Sequence, residues 1–195
     1  MQHLPLPSLR LRVAMSAAAL CAAMCAIQPA SAQAIDPARS SVSATFKQMG
    51  VPVEGTFRKV AGQVVYDRAA PDNAQARVEI DVASFDLGDA QYNAEVRKAD
   101  WFDTARFPTA TFATSAVKPL GADRFEASGK LTIKGRSVDV KLPVQYRVDG
   151  AAGVFEGSLP IRRLAFGIGD GEWKDTGLVA DEVIVKFKLG VAAPR

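Results

Sequence analysis

Residues 124–149 read RFEASGKLTIKGRSVDVKLPVQYRVD, and apolar and polar side chains alternate on both sides of a single Lys134-Gly135 pair. The apolar positions are Phe125, Ala127, Gly129, Leu131 and Ile133 before the pair, and Val138, Val140, Leu142, Val144, Tyr146 and Val148 after it. A period of two indicates antiparallel strands with one buried face and one solvent face. A Lys-Gly pair at the point of reversal is typical of a tight turn. The stretch therefore predicts a hairpin of two long β-strands.

The same alternation recurs along most of the chain. It is clear in ARVEIDVAS (76–84) and in DEVIVKFKLG (181–190). Turn residues separate the alternating runs, so the pattern predicts eight strands. They lie near 41–48, 53–67, 75–83, 109–118, 123–134, 136–149, 153–165 and 180–190. Only the polar and aromatic connection 91–108 interrupts the series, and one short helix is expected there, around Ala94 to Asp100.

A series of consecutive antiparallel strands leaves two exposed sheet edges unless the sheet closes on itself. Eight strands close around a space that holds side chains or one slender ligand. A β-sandwich is the alternative, but the length of four of the strands favours a tilted barrel. The predicted fold is all-β: an antiparallel, eight-stranded barrel with one short helix.

Residues 1–32 have the composition of a secretory signal peptide. Arg10 and Arg12 precede an apolar run, 13–27, and the sequence Ala30-Ser31-Ala32 follows. A basic start, a short apolar middle and an A-x-A end mark such a peptide, and the run is shorter than the about 20 residues of a membrane-spanning helix. We expect Sec-type export, cleavage after Ala32 and a mature periplasmic domain, 33–195, without a membrane span. A lipoprotein is the alternative, but large residues precede both cysteines where a lipobox has a small one.

Cleavage after Ala32 would remove every cysteine and the only histidine, His3. A chain without them has no disulfide, no nucleophile system based on Cys or His, and no zinc ligands of nitrogen or sulfur. Loss of Arg10 and Arg12 also lowers the formal net charge of +3. A charge near zero gives no electrostatic reason to expect nucleic acid as a partner. No catalytic residue, metal or cofactor is predicted.

The stretch FGIGDGEWKDTG, 166–177, is the one glycine-rich and acidic segment. A strand rather than a helix is predicted after it, so it lacks the helix N-terminus of a phosphate-binding loop. Calcium through Asp170, Glu172 and Asp175 is an alternative, but their spacing differs from that of a calcium loop and Lys174 lies among them. The favoured interpretation is an irregular connection in which glycines supply positive φ and Trp173 folds back onto the barrel rim.

Three blocks, VEGTFRKVAGQVVYD (53–67), DWFDTARFPTATFATSAV (100–117) and GKLTIKGRSVDVKLPV (129–144), have the order and spacing of one family. The chain resembles the YceI-like family over about 35–190. The resemblance implies a lipocalin-like fold and binding of a polyisoprenoid in the bacterial periplasm. Many members have Lys-His where this chain has Lys47-Gln48, so a role of that histidine is not carried over. The chain is similar to a branch that often accompanies membrane b-type cytochromes, which implies an isoprenoid quinone as ligand and such a cytochrome as partner.

The apolar faces of the strands suit a ligand held by burial, at about 0.8 kcal/mol per methylene. The function expected is non-catalytic binding and transport of a long apolar isoprenoid, and Ala113, Ala127 and Gly129 are expected to leave room for it. Trp101, Phe102 and Trp173 are candidates for the mouth. Alternation shows which face of a strand each residue occupies, and the resemblance implies that this face lines the lumen. On that basis the candidate ligand-binding residues on the strands are Phe46, Phe57, Val78, Ile80, Phe112, Leu131, Ile133, Val140, Leu142, Val185 and Phe187.

Two other functions are compatible with the fold. A barrel filled by its own side chains would suit a stress-response or interaction protein, serving a membrane cytochrome and binding no lipid. A hydrolase or isomerase would need polar groups that converge in a cleft, whereas the inward sets contain almost no ionisable side chain. Enzymatic activity is therefore not expected.

Overall fold

Ten β-strands and one α-helix make up the part of the chain that the computed structural model describes, residues 32–192. Residues 1–31 of the predicted signal peptide lie outside it. The helix, α1, is Ala90–Glu95. The strands are β1 Gln33–Gln48, β2 Val51–Phe57, β3 Val60–Val65, β4 Gln75–Asp81, β5 Phe85–Asp86, β6 Thr109–Gly121, β7 Arg124–Ile133, β8 Arg136–Asp149, β9 Ala152–Arg162 and β10 Val179–Ala192.

Eight of these strands close into a ring of antiparallel pairs in the order β1-β3-β4-β6-β7-β8-β9-β10, and β10 pairs back onto β1. β2 and β3 lie end to end along β1, because β1 pairs with β3 through its first residues and with β2 from Val42 to Gln48. Together they form the single predicted strand 53–67, interrupted at Arg58 and Lys59. The predicted eight-stranded antiparallel barrel is confirmed.

Three predicted elements have different bounds, and one of them, the strand near 153–165, ends at Arg162, where a 3-10 helix begins. β1 begins at Gln33 rather than near 41, because an irregularity between Asp36 and Ser41 interrupts its alternation and lets both halves pair with β10. The helix spans Ala90–Glu95 rather than about Ala94 to Asp100. Its N-cap is Asp89, whose carboxylate accepts hydrogen bonds from the backbone N–H of Gln91 and Tyr92.

The two ends of the barrel differ. The connections 82–108 and 163–178 meet at one end, which we call the capped end, where the N–H groups of Gly169 and Asp170 donate to the carbonyl of Asp100. The other, the hairpin end, carries the β6–β7 and β8–β9 turns and the connection 66–74. There the ring of Tyr66 packs against Tyr146 and Phe155, with centroids 4.7 and 5.2 Å away.

The ladder between β8 and β9 is incomplete. These strands pair only from Val144↔Gly157 to Asp149↔Ala152, at the hairpin end. Toward the capped end they separate, and Pro160 in the separated part of β9 lacks an N–H to donate. A groove between them is lined by residues that include Val140 and Pro160. No helix within 32–192 has the length and apolar composition to span a membrane.

Candidate functional site

A cavity of about 220 Å³ lies inside the barrel. Side chains from every barrel strand and from both connections of the capped end line it, and nearly all are apolar. The polar members of the lining are Tyr66, Gln75, Thr114 and Arg163. An apolar cavity of about 150 Å³ in a protein core stays dry and binds benzene. The barrel is therefore hollow enough for part of an apolar ligand and offers it mostly hydrocarbon walls.

Most of the candidate binding residues surround this cavity. Those that line it are Phe46, Phe57, Val78, Ile80, Trp101, Phe102, Phe112, Leu131, Ile133, Leu142, Val185 and Phe187. Val140 and Trp173 do not: Val140 borders the β8–β9 groove, and Trp173 packs on Trp101 with ring centroids 5.3 Å apart. Trp101 is 9% exposed and belongs to the capped end. The structure thus places two of the three mouth candidates, Trp101 and Phe102, along the cavity wall.

Of the residues expected to leave room, only Ala127 lines the cavity. Ala113 follows inward-facing Phe112 on β6 and so points outward. Gly129 has another role, because a Cβ built on it would lie 2.4 Å from the carbonyl oxygen of Ala113 and 2.7 Å from the ring of Phe112. The expectation was wrong for Ala113 and Gly129: glycine at 129 allows the Phe112 ring to lie across β7.

Arg163 is the residue of this site that sequence reasoning missed. It is 2% exposed, at the start of the connection 163–178, and lines the cavity. Its five N–H groups all donate to backbone carbonyls, with donor–acceptor distances from 2.6 to 3.1 Å, and burial lowers its pKa. The acceptors are the carbonyl oxygens of Ile168, Gly169, Trp173, Val179 and Ala180. The alternation of inward Leu159 and Ile161 continues to Arg163 and could have predicted its orientation.

The glycine-rich stretch 166–177 is the loop that wraps this guanidinium. Gly167, Gly169 and Gly171 have φ of 66°, 78° and 64°, so the expected positive φ is confirmed. The ammonium group of Lys174 lies 3.1 Å from the carboxylate of Asp170 and donates a hydrogen bond to it, which lowers the pKa of Asp170. Within 32–192 no three His, Cys, Asp or Glu side chains are grouped as metal ligands. The stretch therefore builds the capped end around Arg163.

The titratable side chains on the cavity wall are Arg163 and Tyr66. Burial raises the pKa of Tyr66, and the nearby carboxylate of Asp123 raises it further. Asp103, which flanks the aromatic stretch of the connection, is 7% exposed and pairs with Arg106 at 3.3 Å, away from the cavity lining. The geometry therefore brings no acid and base together inside the barrel.

Comparison with known proteins gives consistent similarities. A family model described as "YceI-like domain" matches residues 33–191, the whole barrel. A protein of Azotobacter vinelandii described as "UPF0312 protein" is 33% identical over 136 residues, which are 66% of this chain and 68% of that protein. The crystal structure of BcnA from Burkholderia cenocepacia is 51% identical, with a TM-score of 0.78 over 80% of this chain and 98% of that one.

A more distant structure shares the fold. It is a polyisoprenoid binding domain from Saccharophagus degradans, implicated in plant cell wall breakdown. It is 21% identical, with a TM-score of 0.64, and the match covers 86% of this chain and 100% of that domain. The barrel architecture is thus maintained across proteins whose sequences have diverged widely.

Proposed function

The chain belongs to the YceI-like family, and from that premise we propose that its barrel binds an apolar isoprenoid lipid without catalysing a reaction. The observation that carries the proposal is the cavity of about 220 Å³ inside the barrel, lined almost entirely by hydrocarbon. The distant structural neighbour described as polyisoprenoid binding supports the choice of ligand class.

The chemistry of the wall matches a prenyl chain. A branched five-carbon repeat has no polar group, so its binding depends on removing apolar area from water, at about 25 cal/mol per Å². Arg163 offers the ligand no free hydrogen-bond donor, since its N–H groups are already bound to carbonyl oxygens. A ligand with a polar group deep in the barrel would lose its hydrogen bonds to water there.

The size of the cavity limits what it encloses. By comparison with the roughly 150 Å³ that hold the six carbons of benzene, about 220 Å³ corresponds to roughly nine carbons, or about two prenyl repeats. A longer polyisoprenoid, or the tail of an isoprenoid quinone, would extend out of the barrel. The proposed ligand is therefore held by one end of its chain.

We place this binding in the periplasm, where the composition of residues 1–32 would direct the chain. A protein that shields an apolar lipid there would transport it through water between membranes or membrane proteins. If the cargo is an isoprenoid quinone, a membrane b-type cytochrome is the partner that such a cargo implies. The cavity does not favour a filled barrel, since side chains that filled the lumen would leave no such space.

A pair of matched substitutions tests the proposal. Ala127→Leu adds a branched side chain to the cavity wall, whereas Ala113→Leu adds it to the outer face of the neighbouring strand. We expect wild type and Ala113→Leu to bind farnesol, a short prenyl alcohol, with equal affinity in a titration. Ala127→Leu should bind at least about tenfold more weakly, a difference of about 1.4 kcal/mol.

Thermal unfolding of both variants controls for folding, because an added side chain in a packed core costs about 1–3 kcal/mol. The proposal fails if wild type shows no saturable binding of farnesol. It also fails if a folded Ala127→Leu variant binds farnesol as tightly as wild type does.

A further inference from the structure

We infer that the capped end docks on the surface of a lipid bilayer through four apolar residues, Met49, Val51, Pro52 and Leu178, which we call the tip patch. The inference goes beyond the proposed function, because it concerns the outside of the barrel and does not depend on what the cavity holds. The exposure of the patch, the backbone at Met49, and the size and charge of the surface support it.

The first observation is that exposed apolar side chains are grouped at this place. Met49, Val51 and Leu178 are 71%, 62% and 41% exposed, and Pro52 is exposed as well. The turn between β1 and β2 lies against the residue that precedes β10, because the N–H of Met49 donates to the carbonyl of Leu178 at 2.8 Å. Single exposed apolar residues are ordinary on a protein surface, whereas a group of them indicates an interaction site.

The second observation is the backbone conformation of Met49. The loop between β1 and β2 has two residues, Met49 and Gly50, which lie between the paired residues Gln48 and Val51. Their φ angles are 47° and 80°. A two-residue turn with positive φ at both positions prefers Asn, Asp or Gly at the first of them. Methionine at this position therefore does not serve the turn.

The turn between β7 and β8 offers a comparison within the same molecule. Lys134 has a φ of 50° at the corresponding position, before Gly135. Its ammonium group donates to the carbonyl oxygens of Ala99 and Gly167, at 2.7 and 2.6 Å, so this long side chain holds the capped end together. The Met49 side chain instead extends into solvent. Its role therefore lies in a contact outside the barrel.

The size of the patch favours a bilayer over a protein partner. A stable interface between two proteins takes about 20–30 residues on each side, whereas the tip patch has four. These residues also lie at the tip of a hairpin rather than in a groove. A bilayer sets no such minimum, since each apolar side chain that leaves water adds to binding.

The charges beside the patch agree with this choice. Lys47 is exposed on the outer face of β1 and is paired with Pro52 of the patch. A lysine next to inserted apolar side chains extends its ammonium group to the lipid phosphates. The carboxylate of Glu54 lies one pair further from the tip, and that of Asp175 accepts a hydrogen bond from the N–H of Gly177. The tip therefore presents hydrocarbon first and a cation behind it.

Flotation with vesicles of phosphatidylcholine, a lipid without net charge, tests the inference. The protein is the mature chain, 33–195, since an uncleaved signal peptide would itself bind lipid. Wild type should float in proportion to the lipid present, whereas Met49→Asn/Leu178→Asn should partition at least about tenfold more weakly. The control is Leu120→Asn/Val148→Asn, which removes side chains that are 50% and 53% exposed at the hairpin end and should bind as wild type does.

Three further measurements separate docking from other effects. Met49→Asn alone should weaken flotation without lowering Tm, because Asn is favoured at its place in the turn. Both tip variants should bind farnesol as wild type does, since the patch does not line the cavity. Flotation should persist in about 1 M NaCl, because salt does not screen the burial of apolar area.

Absence of wild-type flotation would overturn the inference, and so would equal binding by the tip and hairpin-end variants. Flotation that is lost at high salt would indicate electrostatic adsorption and would also overturn it. A dimer seen by analytical ultracentrifugation and lost in the tip variant, without flotation, would assign the patch to a second copy of the chain instead. These outcomes leave the proposed function intact, whereas failure of farnesol to bind refutes that function alone.

Discussion

The guanidinium of Arg163 is a buried cation whose five donors face backbone carbonyls of a single loop and the strand that follows it. Burying a charge is costly unless its hydrogen bonds are satisfied. Hydrogen bonds to a charged group contribute about 1.5–3 kcal/mol each. The Trp101 ring lies 6.0 Å from the guanidinium carbon. This one side chain therefore organises the capped end, and with it the part of the cavity wall that this end supplies.

Replacing Arg163 by Met should strongly destabilise the protein, because several buried carbonyls would lose their partner at about 1–3 kcal/mol each. We expect the free energy of unfolding in urea to fall by about 3 kcal/mol or more. Arg162→Met is the control, since Arg162 is exposed and its pair with Asp181 contributes about 0–1 kcal/mol. If Arg163→Met lowers the free energy of unfolding no more than Arg162→Met does, the proposed role of Arg163 in holding the capped end together is contradicted.

Asp86 is the residue whose titration should be visible in acid unfolding. Its carboxylate accepts hydrogen bonds from Asn93, Arg58 and the backbone of Gly88, which hold its pKa well below the ordinary 3.8. Because the pKa is lower in the folded state, Asp86 stabilises the fold at pH values above its ordinary pKa of 3.8. This contribution is lost as the pH falls from there through the lower pKa of the folded state.

An Asp86→Asn variant should therefore lose less stability than wild type when the pH is lowered from about 5 to about 2. Urea unfolding at a series of pH values measures this dependence. Asp139→Asn is the control, because the Asp139 side chain is 86% exposed and its pair with Lys130 is a surface pair. Parallel acid profiles for wild type and Asp86→Asn would refute the prediction.

At the scale of elements, β6 and β7 show how the barrel wall is built. Phe112 on β6 is paired with Leu131 on β7, and its ring also lies over Gly129, two residues away on the same face. This diagonal packing needs a residue without a side chain on β7. The ring can then line the cavity instead of projecting across it.

Gly129→Ala should force the Phe112 ring or the backbone of Ala113 to move, since the new Cβ would lie 2.7 and 2.4 Å from them. We expect a loss of about 1–3 kcal/mol in the free energy of unfolding, as for other overpacked positions. Ser128→Ala, on the other face of β7, should change it by less than about 0.5 kcal/mol. Equal losses of stability in Gly129→Ala and Ser128→Ala would show that the close contact with Phe112 does not require glycine at position 129.

At the scale of the whole molecule, closure joins strands that are far apart in sequence, because β1 pairs along its length with β10. The period of two predicted the eight strands, since each has one face in the core. It could not predict the first half of β1, where Asp36, Pro37 and Arg39 disrupt the alternation. The start of the helix was predicted too late in the chain. Asp89, an N-cap residue directly before Ala90, was the signal in the sequence that marks the correct start.

The candidate site was predictable in part for the same reason. Alternation identifies which side chains share a face, but the family resemblance was also needed to assign that face, with Val78 and Phe187, to the lumen. Trp173 could not be placed, because it lies in a loop whose path depends on Arg163. The cavity was beyond sequence reasoning, since its size depends on how side chains fill the barrel.

The most direct test of lipid binding is native mass spectrometry of the protein purified from its own periplasm without detergent, followed by organic extraction of any adduct. We expect one adduct per chain, which releases a prenyl-type lipid on extraction and is lost in Ala127→Leu. A bare protein that also fails to take up added prenyl alcohols would contradict this expectation.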